Sequence, residues 1–267
     1  MPKLEINIGR STLDDLFKTD EGRKTEEIKP IKISELKPYA EQPFKVIDNE
    51  SMDELVESIK QSGVLSPIVT RPHPEGGYEI LSGHRRVRAS ELAGKDEVPV
   101  VVKDLDDDTA VILLVDSNLQ REHILPSEKA FAYKMKLEAR SRQGKRSDLT
   151  STPVVSKLRA NEAVGSESGD SREQVRRYIR LTFLIKDLLN LVDEGRIALR
   201  PAVELSYLTE PQQIYLFNII GREDATPSHA QAIEMKKLSQ KGKLDQNMIE
   251  YLMTQEKPNQ VEKTKAW

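Results

Sequence analysis

The sequence has no cysteine among its 267 residues, and aromatic residues make up only 5% of it. Without cysteine, disulfide bonds and thiol chemistry are excluded, and a cytosolic location is permitted. No apolar run approaches the roughly 18 residues that a membrane-spanning helix needs, and the N-terminus lacks the apolar core of a signal peptide. The four histidines show no metal-ligand spacing, so we expect no zinc site. With 32% charged residues, the chain is typical of a soluble, helix-rich protein.

Charge is distributed unevenly along the chain. The formal net charge of −3 argues by itself against nucleic-acid binding. Between Lys134 and Lys186, however, thirteen Lys and Arg residues stand against six Asp and Glu, whereas acidic residues are concentrated at 48–57 and 104–108. Because a protein meets DNA through one face, this basic segment is a candidate DNA surface. The alternative is that the charges only solvate helices.

Composition and periodicity divide the chain into four predicted segments. A polar arm (1–30) precedes a compact unit of small strands and intervening helices (31–126), and from about Ser127 the pattern is entirely helical. The helical unit (127–222) is followed by a C-terminal region (223–267) with at most two short helices and a tail. The predicted fold class is therefore α+β, with an all-α unit after the strands.

Capping and turn signals place the elements of the first unit. Ser51 and Glu54 form a capping box, which predicts the start of a helix. Turn signals bound two predicted strands at 67–71 and 78–81, and a β-branched run predicts a buried strand at 98–102. Further helices are predicted at 85–93, 108–119 and 127–143, the last of them capped by Ser127.

Two short polar clusters indicate phosphate binding. Gly83 lies just after the strand predicted at 78–81, and Arg85 and Arg86 follow at the start of a helix. Glycine lets the backbone approach a ligand closely, and arginines at a helix N-terminus favour a bound phosphate. About thirty residues later, Asn118 and Arg121 supply an amide and a guanidinium group. The alternatives are salt-bridging arginines at the first cluster and a polar helix cap at the second.

Residues 164–181 have the spacing of a helix-turn-helix motif. Gly169 suits the tight turn between the helices, Ser171 can cap the second helix, and Val175 should face inward. If the second helix reads DNA, its early residues would reach base edges and its later arginines would suit phosphates. The candidate DNA-binding residues are Ser171, Arg172, Gln174, Arg176, Arg177 and Arg180, of which the last five are predicted to lie largely on the exposed surface. An ordinary amphipathic helix pair with solvating arginines is the alternative.

Together these motifs resemble the ParB/RepB superfamily of partition proteins. The resemblance covers about residues 32–207 and rests on Gln42-Pro43, the box LSGHRRVRASELAG at 81–94, the box SNLQREHILPSEKAFAY at 117–133 and the helix-turn-helix. It implies a mixed-sheet, ParB/sulfiredoxin-like domain that binds CTP with Mg²⁺, then a helical DNA-reading domain and a dimerisation region. Implied partners are a palindromic double-stranded DNA site, a ParA-type ATPase and a second copy of the chain, but no membrane. The implied location is the cytoplasm, on a nucleoid or plasmid.

The resemblance also assigns residues at matching positions. The CTP-binding residues would be Gln42, Gly83, His84, Arg85, Arg86, Asn118 and Arg121. Asn118 would also be the possible Mg²⁺ ligand. The segment GRSTLDDLF at 9–17, which is either a short amphipathic helix or an incidental apolar cluster, resembles the arm that touches ParA, with Arg10 as the contact.

Two positions depart from the family pattern. His84 and Ser117 stand where the family usually has glutamate. A serine hydroxyl is a weaker Mg²⁺ ligand than a carboxylate, so we expect the nucleotide to act as a switch, with at most weak CTP hydrolysis and no catalytic residue assigned. A sulfiredoxin-like enzyme is excluded because that chemistry needs a cysteine.

Two questions stay open on the sequence. A transcriptional regulator or a nucleoid-occlusion protein would carry the same DNA-reading unit as a partition protein. No long leucine heptad is visible for a dimer zipper. Dimerisation would come from short helices around 233–238 and 248–252, or from nucleotide-driven contact between N-terminal domains.

Overall fold

The computed structural model describes residues 27–121, 123–147 and 170–255. They fall into two compact units. Of the described residues, the first unit comprises 27–37 and 48–104, and the second comprises 38–47, 105–121, 123–147 and 170–255. Arg10, the segment 9–17 and the first helix of the predicted helix-turn-helix lie outside the described residues.

The first unit is built on a five-stranded sheet. In the described part of the chain its strands are β1 (Ile28–Lys32), β2 (Leu36–Pro38), β3 (Ile68–Pro72), β4 (Tyr78–Ser82) and β5 (Glu97–Val102). The order across the sheet is β1-β5-β3-β4-β2. β1 pairs with β5 and β3 with β4 in antiparallel fashion, whereas β3 and β5 are parallel. The sheet is therefore mixed, as the family resemblance implied. The buried core of this unit consists of Ile31, Ile68, Ile80, Val87, Val98 and Val100.

In its described residues, the first unit also contains two α-helices, α1 (Glu50–Ser62) and α2 (His84–Leu92), and a short 3-10 helix at Ile33–Glu35. The predicted capping box at the start of α1 is wrong. The N-cap is Asn49, whose side chain accepts a hydrogen bond from the Met52 amide at 3.2 Å, and the helix therefore begins before Ser51. Asparagine caps as well as serine does, so a sequence with both residues close together leaves the choice to tertiary contacts.

From Leu105 onward, the described residues of the second unit form helices joined by turns and loops. Its helices are α3 (Asp107–Leu119), α4 (Pro126–Ser147), α5 (Arg172–Leu181), α6 (Lys186–Asp193), α7 (Leu199–Leu205), α8 (Glu210–Glu223), α9 (His229–Gln240) and α10 (Gln246–Thr254). Its main core includes the buried residues Leu181, Leu188, Leu205, Leu216, Met235 and Ile249. The α+β class is confirmed. Two helices, α9 and α10, lie in the described part of the C-terminal region. None of the described helices is both long enough and apolar enough to cross a membrane.

Helix α4 differs from its prediction at both ends. It begins at Pro126, where the missing amide hydrogen of proline costs nothing, and continues to Ser147. Ser127 is not its cap. The Ser127 amide and hydroxyl instead donate to the two carboxylate oxygens of Asp193, at 2.9 and 2.5 Å, and so attach the start of α4 to α6.

Candidate nucleotide and DNA sites

The turn between β4 and α2 places Gly83 at the N-cap of α2, with a left-handed backbone at φ 106°. A Cβ atom at this position would lie 2.8 Å from Ile68 Cδ1, so glycine is required both by the backbone and by the space. The amides of the first helical turn have no partner within the helix, and the helix dipole adds partial positive charge there. This turn can therefore hold an anion.

Two arginines supply further positive charge at the same turn. Arg85 Nη2 donates to Ser51 Oγ at 2.9 Å, and Arg86 Nη1 donates to the carbonyl oxygens of Ser66 and Pro67 at 2.5 and 2.8 Å. Within the described residues, neither guanidinium has a carboxylate partner. Their charge is therefore oriented by neutral groups without being neutralised, which suits a phosphate ligand.

Unlike this arginine pair, Arg88 of α2 is neutralised by carboxylates. Arg88, one turn along, is paired with Asp48 at 2.6 Å and with Glu91 at 3.3 Å. Burial lowers the pKa of the Arg86 guanidinium below its ordinary value, but arginine stays cationic at neutral pH. His84, which replaces the family glutamate, is only 6% exposed and lies inside the unit.

The remaining predicted nucleotide residues belong to the second unit. Asn118, at the end of α3, is 3% exposed, and its Nδ2 donates to the Leu114 carbonyl at 2.8 Å. The amide nitrogen is thus used within the helix, which leaves the side-chain oxygen as the atom that a metal would use. The Arg121 guanidinium lies 5.5 Å from the centre of the Phe44 ring. Gln42 borders a groove on α4, and its Oε1 is buried without a hydrogen-bond partner among the described residues.

Carboxylates for a metal ion are scarce around Asn118. Ser117 donates its hydroxyl to the Leu114 carbonyl at 3.0 Å. Asp116 is paired with Lys136, a lysine whose side chain is completely buried. No group of three or more His, Cys, Asp or Glu residues within the described ranges is arranged to hold a metal ion.

Helix α5 is the second helix of the predicted helix-turn-helix. The Ser171 side chain caps it by accepting from the Gln174 amide at 3.2 Å, which confirms the predicted cap. Val175 is fully buried, as expected, and packs with Tyr133 of α4. This packing fixes which face of α5 is presented to solvent.

The exposed face of α5 is narrower than predicted. Arg176 and Arg177 are exposed, and Arg176 lies 3.3 Å from Glu173. Arg172, Gln174 and Arg180 are half-buried, so the expectation that they lie largely on the exposed surface is wrong. Of these three side chains, Arg180 is covered by Ser206 and Tyr207, which directly follow α7.

Arg180 contacts the protein through both hydrogen bonds and aromatic rings. Its Nε donates to Ser206 Oγ at 3.0 Å, and its Nη2 donates to the Ser206 carbonyl at 2.8 Å. The guanidinium carbon lies 3.8 Å from the centre of the Tyr207 ring and 4.4 Å from that of Phe183. The motif could not show these contacts, because Ser206 is 26 residues away in sequence.

The sequence also did not reveal a network at the start of α5. The Asp170 carboxylate accepts from the Tyr133 hydroxyl and lies 2.7 Å from Lys129 Nζ. Lys129 in turn lies 4.9 Å from the centre of the Tyr178 ring. The approach to α5 is thereby held to α4. An aspartate directly before a capping serine was the available signal, but it does not specify its partners.

A mixed sheet with a glycine–arginine turn, followed by a helical unit with a basic capped helix, is the organisation expected of the ParB class. The ParB N-terminal domain family matches residues 18–119. A probable chromosome 1-partitioning protein ParB from Deinococcus radiodurans is 32% identical over 211 residues, which are 79% of this chain and 67% of that protein. The chain belongs to the ParB family.

Two further relatives show the breadth of this similarity. A nucleoid occlusion protein from Geobacillus is 40% identical over 121 residues, 45% of this chain and 43% of that protein. The crystal structure of a C-terminally truncated chromosome-partitioning protein ParB from Caulobacter crescentus, complexed to the centromeric parS site, aligns with a TM-score of 0.44 and 25% identity. That alignment covers 80% of this chain and 99% of the Caulobacter chain.

Proposed function

We propose that this protein is a partition adaptor that binds a palindromic, centromere-like DNA site as a homodimer and reads each half-site with α5. The observation that carries the proposal is the capped, basic helix α5, which is packed against α4 through the fully buried Val175 and exposes Arg176 and Arg177. A rigidly supported helix with exposed cations suits the major groove. Membership of the ParB family supports the same function.

Contacts to DNA divide by position along α5. Ser171, Arg172 and Gln174 lie at its N-terminal end, which is the end that enters the groove in helix-turn-helix proteins. Arg176 and Arg177 are exposed one turn later and suit phosphates. The first group would specify sequence, whereas the second would supply affinity that falls with salt.

Selection from a random duplex pool tests this function. The full chain should enrich a palindromic sequence, and Gln174→Ala should alter its base preference. Arg177→Gln should instead weaken binding to all duplexes and reduce the slope of log K against log salt by about 0.9, the value for one phosphate contact. Enrichment of no sequence over the input pool would refute the proposal.

We further propose that the turn at Gly83 binds the triphosphate of CTP. The fit rests on the left-handed Gly83, the open N-terminus of α2 and the two guanidinium groups of Arg85 and Arg86 that have no carboxylate partner in the described chain. When bound, the nucleotide would supply the negative charge that this turn lacks. His84, being buried, would support the turn from inside the unit. The assignment of Gln42, Asn118 and Arg121 to the same ligand stays a prediction.

The role of the nucleotide would be that of a switch. Asn118 is the possible Mg²⁺ ligand, but Asp116 is paired with Lys136 and Ser117 has no carboxylate, so few strong metal ligands are available. Equilibrium binding of labelled CTP, with ATP and GTP as competitors, tests binding, and release of CDP tests turnover. Binding with little or no CDP supports a switch. Rapid release of CDP would contradict it.

The partner in partition would be a ParA-type ATPase, contacted through Arg10, and the place of action the cytoplasm, on a nucleoid or plasmid. The Geobacillus relative favours nucleoid occlusion as the second candidate function. Stimulation of a ParA-type ATPase by the full chain, and its loss in Arg10→Ala, would support partition. Sequence-specific DNA binding without any stimulation would support nucleoid occlusion.

A further inference from the structure

We infer that Arg180 is a positioning residue, which holds the C-terminal end of α5 against α7, and that it does not contact a DNA phosphate. The inference rests on the proposed function, since it concerns how the DNA-reading helix is held. Arg180 belongs to the same basic stretch as Arg176 and Arg177, and residue type alone would place it with them. Its surroundings separate it from them.

The hydrogen bonds of Arg180 are directed into the protein. Ser206, which accepts from both Nε and Nη2, is only 3% exposed. The Ser206 hydroxyl donates to the Val203 carbonyl at 2.7 Å, and this orients its lone pairs toward Arg180. The guanidinium is therefore bound to the C-terminal end of α7 by a serine that is itself fixed in place.

Ring contacts hold the same guanidinium. Its carbon atom lies within 4.4 Å of the centres of the Phe183 and Tyr207 rings, which is well inside the range of a cation–π interaction. Lys236 Nζ lies 3.8 Å from the centre of the Tyr207 ring and 2.7 Å from a carboxylate oxygen of Glu204. Two of the five N–H groups of Arg180 are used by Ser206, so a side chain that swung toward DNA would give up two hydrogen bonds and two ring contacts at once.

A second anchor holds the other end of α5. Asp170, just before the capping Ser171, is tied to α4 through Tyr133 and Lys129. With Asp170 at one end and Arg180 at the other, α5 is fixed against two different helices. Between these anchors lie Arg176 and Arg177, the arginines that remain exposed. A helix fixed at both ends can keep the orientation that base recognition requires.

Two substitutions of the same arginine separate positioning from phosphate contact. Arg180→Lys keeps the positive charge but loses the planar fork, and Arg180→Gln loses both. The probe is the duplex that the wild-type full chain enriches from a random pool, with a scrambled duplex of equal length beside it. Both variants should lower affinity for the selected duplex by about tenfold or more, the scale of one lost charged hydrogen bond, with the salt slope unchanged. Affinity for the scrambled duplex should change much less.

Two further variants serve as controls. Arg177→Gln changes an exposed arginine of the same helix, and it should reduce the salt slope by about 0.9 for both duplexes. Ser206→Ala changes no charge and removes one of the two acceptor atoms of Arg180. It should lower affinity for the selected duplex about threefold with the slope unchanged. Because this change is mild, it keeps the inference testable if the Arg180 variants do not fold.

The outcomes distinguish the inference from the function on which it rests. Wild-type affinity in Arg180→Lys, together with a slope reduced by about 0.9 in Arg180→Gln, would identify a phosphate contact and overturn the inference while the function stands. Wild-type affinity in Ser206→Ala would also overturn it. If the wild-type chain selects no duplex, the proposed function fails, and the inference fails with it.

Discussion

Replacing Gly83 by alanine should destabilise the first unit and damage the proposed phosphate site. The new methyl group would meet Ile68 Cδ1 at 2.8 Å and the Arg86 guanidinium at 3.1 Å. Ile68 is completely buried in the sheet, so it cannot move aside freely. The left-handed backbone at φ 106° adds a conformational penalty for any residue with a Cβ atom.

The magnitude follows from these two effects. The left-handed backbone costs an alanine roughly 1–2 kcal/mol, and a methyl group forced into a packed core costs roughly 1–3 kcal/mol. We expect Gly83→Ala to lower the free energy of unfolding of the first unit by about 2–5 kcal/mol. Gly94, at the other end of α2, is the matched control, because its φ is 70° but a Cβ there would meet nothing within 4 Å. Gly94→Ala should therefore cost only about 1–2 kcal/mol.

Amide hydrogen exchange of peptides from β3, β4 and α2 measures this loss within the first unit alone. In Gly83→Ala these amides should exchange faster than in Gly94→Ala, by about tenfold for each 1.4 kcal/mol of difference. Ile68→Val removes the clashing Cδ1 atom, so its combination with Gly83→Ala should cost less than the sum of the single changes. Equal effects at Gly83 and Gly94, or strict additivity with Ile68→Val, would refute the steric argument.

Three further substitutions test other parts of the structure. Asp116→Asn removes one carboxylate from the buried Lys136 ammonium and should lower the free energy of unfolding in urea by roughly 1–3 kcal/mol, reduced from a fully buried pair because Asp116 is 43% exposed. Adding Lys136→Met should recover most of that loss, and no recovery would contradict the ion-pair argument. Tyr133→Phe removes the hydroxyl that donates to Asp170 and should speed amide exchange at the start of α5 about tenfold. Unchanged exchange there would show that this anchor is not needed. Ser117→Glu adds a carboxylate at an exposed position, so calorimetry should show CTP binding that depends more strongly on Mg²⁺ than in the wild type. Equal binding with Mg²⁺ and with EDTA would contradict the ligand role.

Features set by local chemistry were predictable from the sequence. Gly83 between a strand and an arginine pair identified the turn, because only glycine fits that backbone without strain. Ser171 identified the start of α5, since its side chain satisfies an amide only three residues away. Each of these inferences needs one short segment and no knowledge of the rest of the fold.

Features set by distant contacts were not predictable. Ser51 and Ser127 both have the sequence context of helix caps, but Asn49 caps α1 and Ser127 binds Asp193, 66 residues away. In the sequence, Arg180 cannot be distinguished from the other arginines of α5. In the fold, the packing of α7 places Ser206 beside it. Only tertiary contacts therefore show whether an arginine in a basic stretch faces solvent, is available to a ligand, or is bound within the protein.

Selection of duplexes by the wild-type chain, repeated with Gln174→Ala and Arg177→Gln, decides whether α5 recognises a specific DNA site. We expect the wild type to enrich one palindromic sequence, Gln174→Ala to change the enriched bases, and Arg177→Gln to enrich the same sequence at lower affinity. Failure of the wild type to enrich any sequence, or the same base preference in Gln174→Ala as in the wild type, would contradict this expectation.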